Sequence, residues 1–242
     1  LVQCAAFRFD SHKGKTMKTQ TFRLAAAAVL VMAIGSVQAG GIEALQKFNA
    51  DTDGISGSFS QSVQSRNKTR NAQGRFSILR PGLFKWEYTS PYKQTIVGDG
   101  NHIWLYDIDL AQITKTAQNQ AIGDSPAAIL SNKDALSASY TLKEDGSAGG
   151  IDYVLATPKR SNAGYQYIRL GFKGDDLAEM RLKDSFGNQT TIKFNNLNTR
   201  PNLSRGQFRF TPPQGVDVLS NKSNCILKMK GYLKISGSLF GH

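Results

Sequence analysis

Apolar side chains recur at every second position through most of residues 55–194, in short runs that turn residues separate. The clearest run holds Phe84, Trp86 and Tyr88, with charged residues between them. Successive side chains of a β-strand point to opposite faces, so this pattern predicts half-buried strands with one apolar face. A chain with this period over most of its length is expected to form a sheet rather than a helical bundle.

Turn signals such as Asp99-Gly100 and Gly174-Asp175 separate the predicted strands. An Asn-, Lys- and Arg-rich stretch before Phe76 predicts a loop. Helices are predicted over Gly41–Phe48, from apolar residues three apart, and over Ser125–Leu130, which has proline at its first helical position. The strands are predicted at residues 55–63, 76–78, 84–88, 102–108, 112–115, 139–143, 152–157, 165–173, 177–183, 189–194 and 207–210.

This set of elements predicts a mainly β fold of about ten antiparallel strands. Two short helices cannot fill the inner face of a sheet of that size. An open or incomplete β-barrel with a helical cover and an apolar cavity follows. We find no internal repeat and no domain boundary, so residues 40–221 are expected to form one domain.

The N-terminal region has the three parts of a secretory signal peptide. Residues 17–39 begin with Lys18 and Arg23, continue with the apolar run 24–34 and end in a small-residue site at Ala39. An apolar run of 11 residues is too short to span a bilayer, which takes about 20. The interpretation predicts cleavage after Ala39 and export to the periplasm. The absence of cysteine near that site excludes attachment through an acylated N-terminal cysteine.

Both ends of the chain differ from the domain between them. Residues 1–16 resemble translated upstream sequence, and residues 222–242 form a basic tail that is either a read-through product or a membrane-binding segment. The formal net charge is +12, but the domain itself holds 21 basic and 17 acidic residues, a net of +4. The charges are scattered along alternating runs, which argues against a nucleic-acid partner.

The residue types that catalysis requires are scarce in the domain. His102 is its single histidine, it has no cysteine, and the G-x-S-x-G motif of serine hydrolases is absent. The sequence Asp51-Thr52-Asp53-Gly54 resembles a calcium loop but has Ser62 where the twelfth-position acid belongs, so it predicts a turn. We therefore expect no enzyme, no metal site and no cofactor.

Several motifs occur together in one order. Leu79-Arg80-Pro81-Gly82-Leu83-Phe84-Lys85-Trp86 matches an R-P-x-x-F-x-W signature, and residues 210–216 read F-T-P-P-Q-G-V. Between them lie Val97-Gly98-Asp99-Gly100, Trp104-Leu105-Tyr106 and the helix 125–130. Over roughly residues 41–221 the chain resembles the outer-membrane lipoprotein carrier family, LolA.

The resemblance implies an incomplete barrel of about eleven strands covered by short helices, with an interior that binds acyl chains. In this family, lipoproteins are received from an inner-membrane ABC transporter and delivered to an outer-membrane receptor. Alternatives are the receptor of the same fold, a periplasmic sensor or structural binding module, and an esterase acting on acyl chains. We expect a monomer.

The resemblance also assigns roles to individual residues. Arg80 matches the family arginine that bonds to backbone groups of the covering helices and acts as a latch, and Phe84 matches a position implicated in docking to the transporter. The alternatives are a surface arginine on a strand for Arg80 and core packing for Phe84. We predict that the acyl cavity is lined by Phe59, Trp86, Tyr88, Trp104 and Tyr106, with Ile129 and Leu130 as its lid.

Overall fold

The computed structural model describes residues 40–66, 68–120, 125–161 and 163–220. The predictions for residues 1–39 and for the basic tail lie outside the described residues. The described residues form three α-helices, α1 (Gly41–Asp51), α2 (Pro126–Leu130) and α3 (Ala135–Ser139), and short 3₁₀ helices cover Gln118–Gln120 and Arg205–Phe208. None of the described helices has both the length and the apolar character needed to cross a membrane.

The described part of the chain contains twelve strands, which form one sheet. They are β1 (Gly54–Ser65), β2 (Lys68–Leu79), β3 (Leu83–Ser90), β4 (Gln94–Asp99), β5 (His102–Asp107), β6 (Gln112–Ala117), β7 (Tyr140–Ala148), β8 (Ile151–Pro158), β9 (Tyr165–Lys173), β10 (Asp176–Asp184), β11 (Gln189–Asn198) and β12 (Asp217–Ser220).

The order of strands in the sheet is β12-β6-β5-β4-β3-β2-β1-β11-β10-β9-β8-β7. All neighbours run antiparallel except β12, which is parallel to β6. The sheet is open, because its end strands β12 and β7 are not paired with each other. The prediction of a mainly β, incompletely closed antiparallel sheet with short helices is confirmed.

The core lies between the three helices and one face of the sheet, which we call the inner face. Helix α1 packs over β7 to β10, α2 over β3, and α3 over β7. Leu45 and Phe48 on α1 are buried because their spacing places them on the side that faces the sheet. The inner face bears Phe59, Trp86 and Tyr88, and its apolar residues join those of the helices in one cluster.

Two predictions about local structure are wrong. The Asn-, Lys- and Arg-rich stretch predicted as a loop belongs to β2, which pairs with β1 from Lys68 onwards. The end of the β1–β2 hairpin near its turn is largely exposed to solvent, which explains its polar sequence. The segment 207–210 was predicted as a strand, but residues 207 and 208 belong to the 3₁₀ helix Arg205–Phe208 and residues 209 and 210 follow it. Ser204 and Gln207 form a capping box at the start of this helix. Helix α3 and strands β4 and β12 were not predicted.

Candidate functional site

Arg80 joins the C-terminal ends of two helices. It follows β2 directly, and its backbone N–H donates to the Asp53 carbonyl at 2.7 Å. Its Nε donates to the Leu130 carbonyl at 2.9 Å, at the end of α2. Its Nη1 donates to the carbonyl of Thr52 at 3.0 Å and to that residue's Oγ1 at 2.9 Å, just past the end of α1. One side chain therefore connects α1, α2 and the sheet.

The surroundings of Arg80 suit a cation despite its burial. The last carbonyls of a helix carry partial negative charge, which a guanidinium with five donors can satisfy at several points. Its carbon Cζ also lies 5.2 Å from the centroid of the Phe48 ring, in a cation–π arrangement. Only 9% of the residue is exposed, and this desolvation lowers the pKa of Arg80 to about 10. The guanidinium remains charged at neutral pH.

Further hydrogen bonds tie the segment after α2 to its neighbours. The Gly82 N–H donates to the Ser131 carbonyl at 2.8 Å. The Asn49 amide on α1 donates to the Lys133 carbonyl at 3.1 Å, and Lys133 itself pairs with Asp53 at 2.8 Å. Sequence reasoning missed these partners of the helical cover, as it missed Thr52. Partners separated by 28 or more positions leave no local pattern.

The inner face near the centre of the sheet carries a cluster of aromatic rings. The Phe59 and Trp86 centroids lie 4.4 Å apart, and Tyr88 meets Phe59 edge to face at 5.3 Å. Phe76 and Phe194 extend the cluster from β2 and β11. The structure thus brings together three of the five predicted lining residues. In this closed form the rings contact one another and the helices cover the face.

Tyr88 is the polar member of this cluster. Its hydroxyl donates to Gln61 Oε1 at 3.1 Å, so both buried polar groups have a partner. Burial raises the pKa of Tyr88 well above its ordinary value, and the phenol stays neutral. The aromatic face therefore carries no charge at neutral pH and is suited to apolar ligands.

The residues predicted to form a lid are buried in the helical cover. Ile129 and Leu130 of α2 are 2% and 4% exposed and belong to the same apolar cluster as the inner aromatic face. Helix α2 begins at Pro126. Proline has no N–H group, and the first position of a helix does not require one. The carbonyl of Leu130 is the group held by Arg80. The predicted latch residue is thus bonded directly to the helix that carries the predicted lid residues.

The prediction that Trp104 and Tyr106 line the same interior is wrong. Trp104 is paired with Val97, and Val97 is paired with Lys85, so Trp104 shares the outer face of the sheet with Lys85. Tyr106 lies two positions further along β5 and has the same orientation. Their place on the inner face is taken by Ile103 and Leu105, both buried.

A C-terminal segment, residues 205–216, covers this part of the outer face. Phe210 stacks against Trp104 at 5.4 Å and lies 6.1 Å from Tyr106. The 3₁₀ helix Arg205–Phe208 packs on β3 and β4. Both faces of β5 are therefore covered, which explains why four apolar residues follow one another at positions 103–106.

Phe84 is fully buried on the inner face beneath α2. A Cβ atom at Gly98, the neighbour of Phe84 on β4, would lie 2.2 Å from the ring, so glycine makes room for it. In this closed form Phe84 therefore packs in the core, as the alternative prediction states. Docking to a transporter stays a prediction, and it would require α2 to move away from the ring.

A groove of about 420 Å³ runs between α1 and the segment that contains α3. Leu45, Leu136 and Leu142 form its apolar floor, and Asn49 and Lys133 lie on its polar side. The groove opens to solvent at the boundary between two parts of the helical cover.

Comparisons with known proteins identify the family. The sequence profile described as "Outer membrane lipoprotein carrier protein LolA" matches residues 50–211. The outer-membrane lipoprotein carrier protein of Neisseria meningitidis serogroup C is 72% identical over 200 residues, which cover 83% of this chain and 97% of that protein. The protein of the same name from Chromobacterium violaceum is 44% identical over 197 residues, 81% of this chain and 96% of that protein.

A solved LolA superfamily protein from Nitrosomonas europaea is 12% identical and aligns with a TM-score of 0.44 over 71% of this chain and 98% of its own. This structural likeness is too low to add to the family assignment, which rests on the sequence matches. The profile match extends from the end of α1 to the segment that covers the outer face. The chain belongs to the outer-membrane lipoprotein carrier (LolA) family.

Proposed function

We propose that this protein carries lipoproteins through the periplasm by binding their acyl chains between the helical cover and the aromatic inner face. The observation that carries the proposal is 72% identity, over nearly the full length of the relative, to a protein named outer-membrane lipoprotein carrier. The latch arginine, the buried lid and the uncharged aromatic face support it. The signal peptide predicted at residues 17–39 would supply the export that this role requires.

Binding requires the helices to move, because the inner face is already covered in this form. Burial of acyl chain contributes about 0.8 kcal/mol per CH₂ group, or on the order of 10 kcal/mol for one long chain. That free energy exceeds what the few hydrogen bonds of Arg80 contribute, at roughly 1.5–3 kcal/mol each. A chain that enters at the groove beside α3 can therefore displace the cover.

Release uses the same contacts in reverse. When cargo leaves, the helices return to the sheet and Arg80 regains the carbonyls of Thr52 and Leu130, which offsets part of the lost acyl contacts. The closed form thus competes with cargo for the inner face. We infer that an inner-membrane ABC transporter supplies the cargo and an outer-membrane receptor removes it, as the family resemblance implies.

Photo-crosslinking can test where cargo binds. A photoreactive amino acid at position 88 lies on the inner face, and the same substitution at position 106 is the matched control, since Tyr106 lies on the outer face. Carrier loaded from inner-membrane vesicles with ATP should crosslink lipoprotein at position 88 only.

Equal crosslinking at both positions would contradict the binding mode. A soluble fraction without lipoprotein, after incubation with ATP and the vesicles, would contradict the carrier function itself. A sensor or structural module of the same fold would bind lipoprotein without releasing it into the soluble fraction.

A further inference from the structure

The N-terminal end of α1 is held by a side chain from an end strand of the sheet. Glu144 lies on the end strand β7, more than 100 positions away in sequence. Its Oε2 accepts a hydrogen bond from the Gly41 N–H at 2.8 Å, and its Oε1 accepts one from the Ile42 N–H at 2.9 Å. These amides have no intrahelical acceptor, because they belong to the first turn. One carboxylate therefore satisfies both.

The backbone at this end lies unusually close to its neighbours. A Cβ atom at Gly41 would lie 2.6 Å from the carbonyl oxygen of Tyr153 on β8. A Cβ atom at Gly40 would lie 2.5 Å from Oε1 of Glu144. The two glycines allow the chain to rest directly against β8 and against this carboxylate. Residue 40 is also the first residue after the predicted cleavage site.

We propose that Glu144 anchors the N-terminal end of α1, and that cleavage after Ala39 completes the anchor by creating an ammonium group at Gly40 beside its carboxylate. The cover then opens from the end that Arg80 holds, with the Glu144 end as its fixed point. This inference rests on the proposed function for the export step and for the movement of the helices.

The charges at the two ends of α1 suit the dipole of the helix. A carboxylate is favourable at the N-terminus and a cation at the C-terminus, and Glu144 and Arg80 supply them from the sheet. Hydrogen bonds to an ionised acceptor are about twice as strong as neutral ones. Before cleavage the Gly40 nitrogen is a neutral amide, and after cleavage it carries a full positive charge. Processing thus adds an ion pair at the fixed end.

Amide hydrogen exchange on the exported protein tests the anchor. In Glu144→Ala the amides of Gly41 and Ile42 should exchange at least about tenfold faster, equivalent to a local loss of about 1.4 kcal/mol. Glu144→Gln keeps one oxygen acceptor and should give a smaller increase. Glu43→Gln removes the same charge from the exposed first turn of α1 and should match wild type.

The amides of β9 and β10 report whether a variant has lost global stability, and their exchange should not change. In Arg80→Leu the amides near the C-terminal end of α1 should exchange faster while Gly41 and Ile42 remain protected. Unchanged exchange of these two amides in both Glu144 variants would overturn the anchor. If Arg80→Leu increased amide exchange equally at both ends of α1, the Glu144 end would not be the fixed point of the movement.

The ammonium group has its own test. Intact mass should identify Gly40 as the first residue of the exported protein, and reductive methylation of its amine should be faster in Glu144→Gln than in wild type or Glu43→Gln. Another first residue, or equal methylation rates, would overturn this part. If exchange and methylation behave as expected but position 88 fails to crosslink lipoprotein, the proposed function fails and the anchor stands.

Discussion

Replacing Arg80 with leucine removes the hydrogen bonds through which one side chain connects the ends of α1 and α2. Leucine fills part of the space but donates no hydrogen bond, so the carbonyls of Leu130 and Thr52 lose the donors now 2.9 and 3.0 Å away. The strand pairing of β2 and β3 is unaffected, because the lost bonds lie at the helix ends. We expect Arg80→Leu to fold and to hold its helical cover less firmly.

The magnitude follows from two opposing effects. The lowering of the Arg80 pKa from 12.5 to about 10 corresponds to a desolvation cost of about 3 kcal/mol, which the variant regains. Loss of a charge-assisted hydrogen bond costs roughly 1.5–3 kcal/mol. The Arg80 side chain makes three such bonds, one to Leu130 and two to Thr52. The closed form should therefore be weakened by on the order of 1.5–6 kcal/mol. This shifts the opening equilibrium by roughly 10- to 20,000-fold.

A transfer assay from loaded carrier to membranes that contain the receptor measures the consequence. A weakened closed form competes less well with cargo, so Arg80→Leu should accept lipoprotein and release it more slowly than wild type. Arg75→Leu, an exposed arginine on β2, is the control for loss of charge. Release from Arg80→Leu at the wild-type rate, with exchange of the α2 amides unchanged, would refute the latch.

Three further predictions concern the packing around this site. Phe84→Ala should lower the free energy of unfolding, measured in urea, by about 3–5 kcal/mol, because it leaves a cavity at a fully buried position. The control Phe186→Ala, at a position that is 55% exposed, should cost less than about 1 kcal/mol. Similar losses in the two variants would contradict the core role of Phe84. Gly98→Ala should cost about 1–3 kcal/mol in the same assay, since the new methyl group meets the Phe84 ring, and an unchanged midpoint would argue that the ring can move aside. Burial alone would raise the pKa of Asp99, but hydrogen bonds from Trp104 Nε1 at 2.7 Å and from two backbone amides outweigh it and lower the pKa. The ionised Asp99 therefore stabilises the fold above pH 3.8, and this contribution is lost as pH falls through the lower pKa of the folded state. The difference in Tm between wild type and Asp99→Asn should disappear in acid. A difference that persists there would exclude ionisation of Asp99 as its cause.

The local pattern was sufficient to predict most of the sheet. Strand β9 has the predicted bounds, and Phe84, Trp86 and Tyr88 share one buried face, because alternation along a strand is a property of the backbone itself. Helix α2 was predictable from Pro126 and the apolar residues that follow it. The position of Arg80 at the helix ends was expected only from its place in a family motif. No spacing rule connects it with Thr52 or Leu130.

What the sequence by itself determined is the alternation within each strand and the class of fold that so many strands require. Which face of β5 points inward was decided by tertiary structure, because helices cover one face and the C-terminal segment covers the other. Residues 103–106 are all apolar, so their pattern does not show which of them point inward. The pairing of Trp104 with Val97, and of Val97 with Lys85, places Trp104 on the face opposite to Trp86. The anchor at Glu144 has the same origin, since the packing of α1 on β7 and β8, far away in sequence, brings a carboxylate to its first turn.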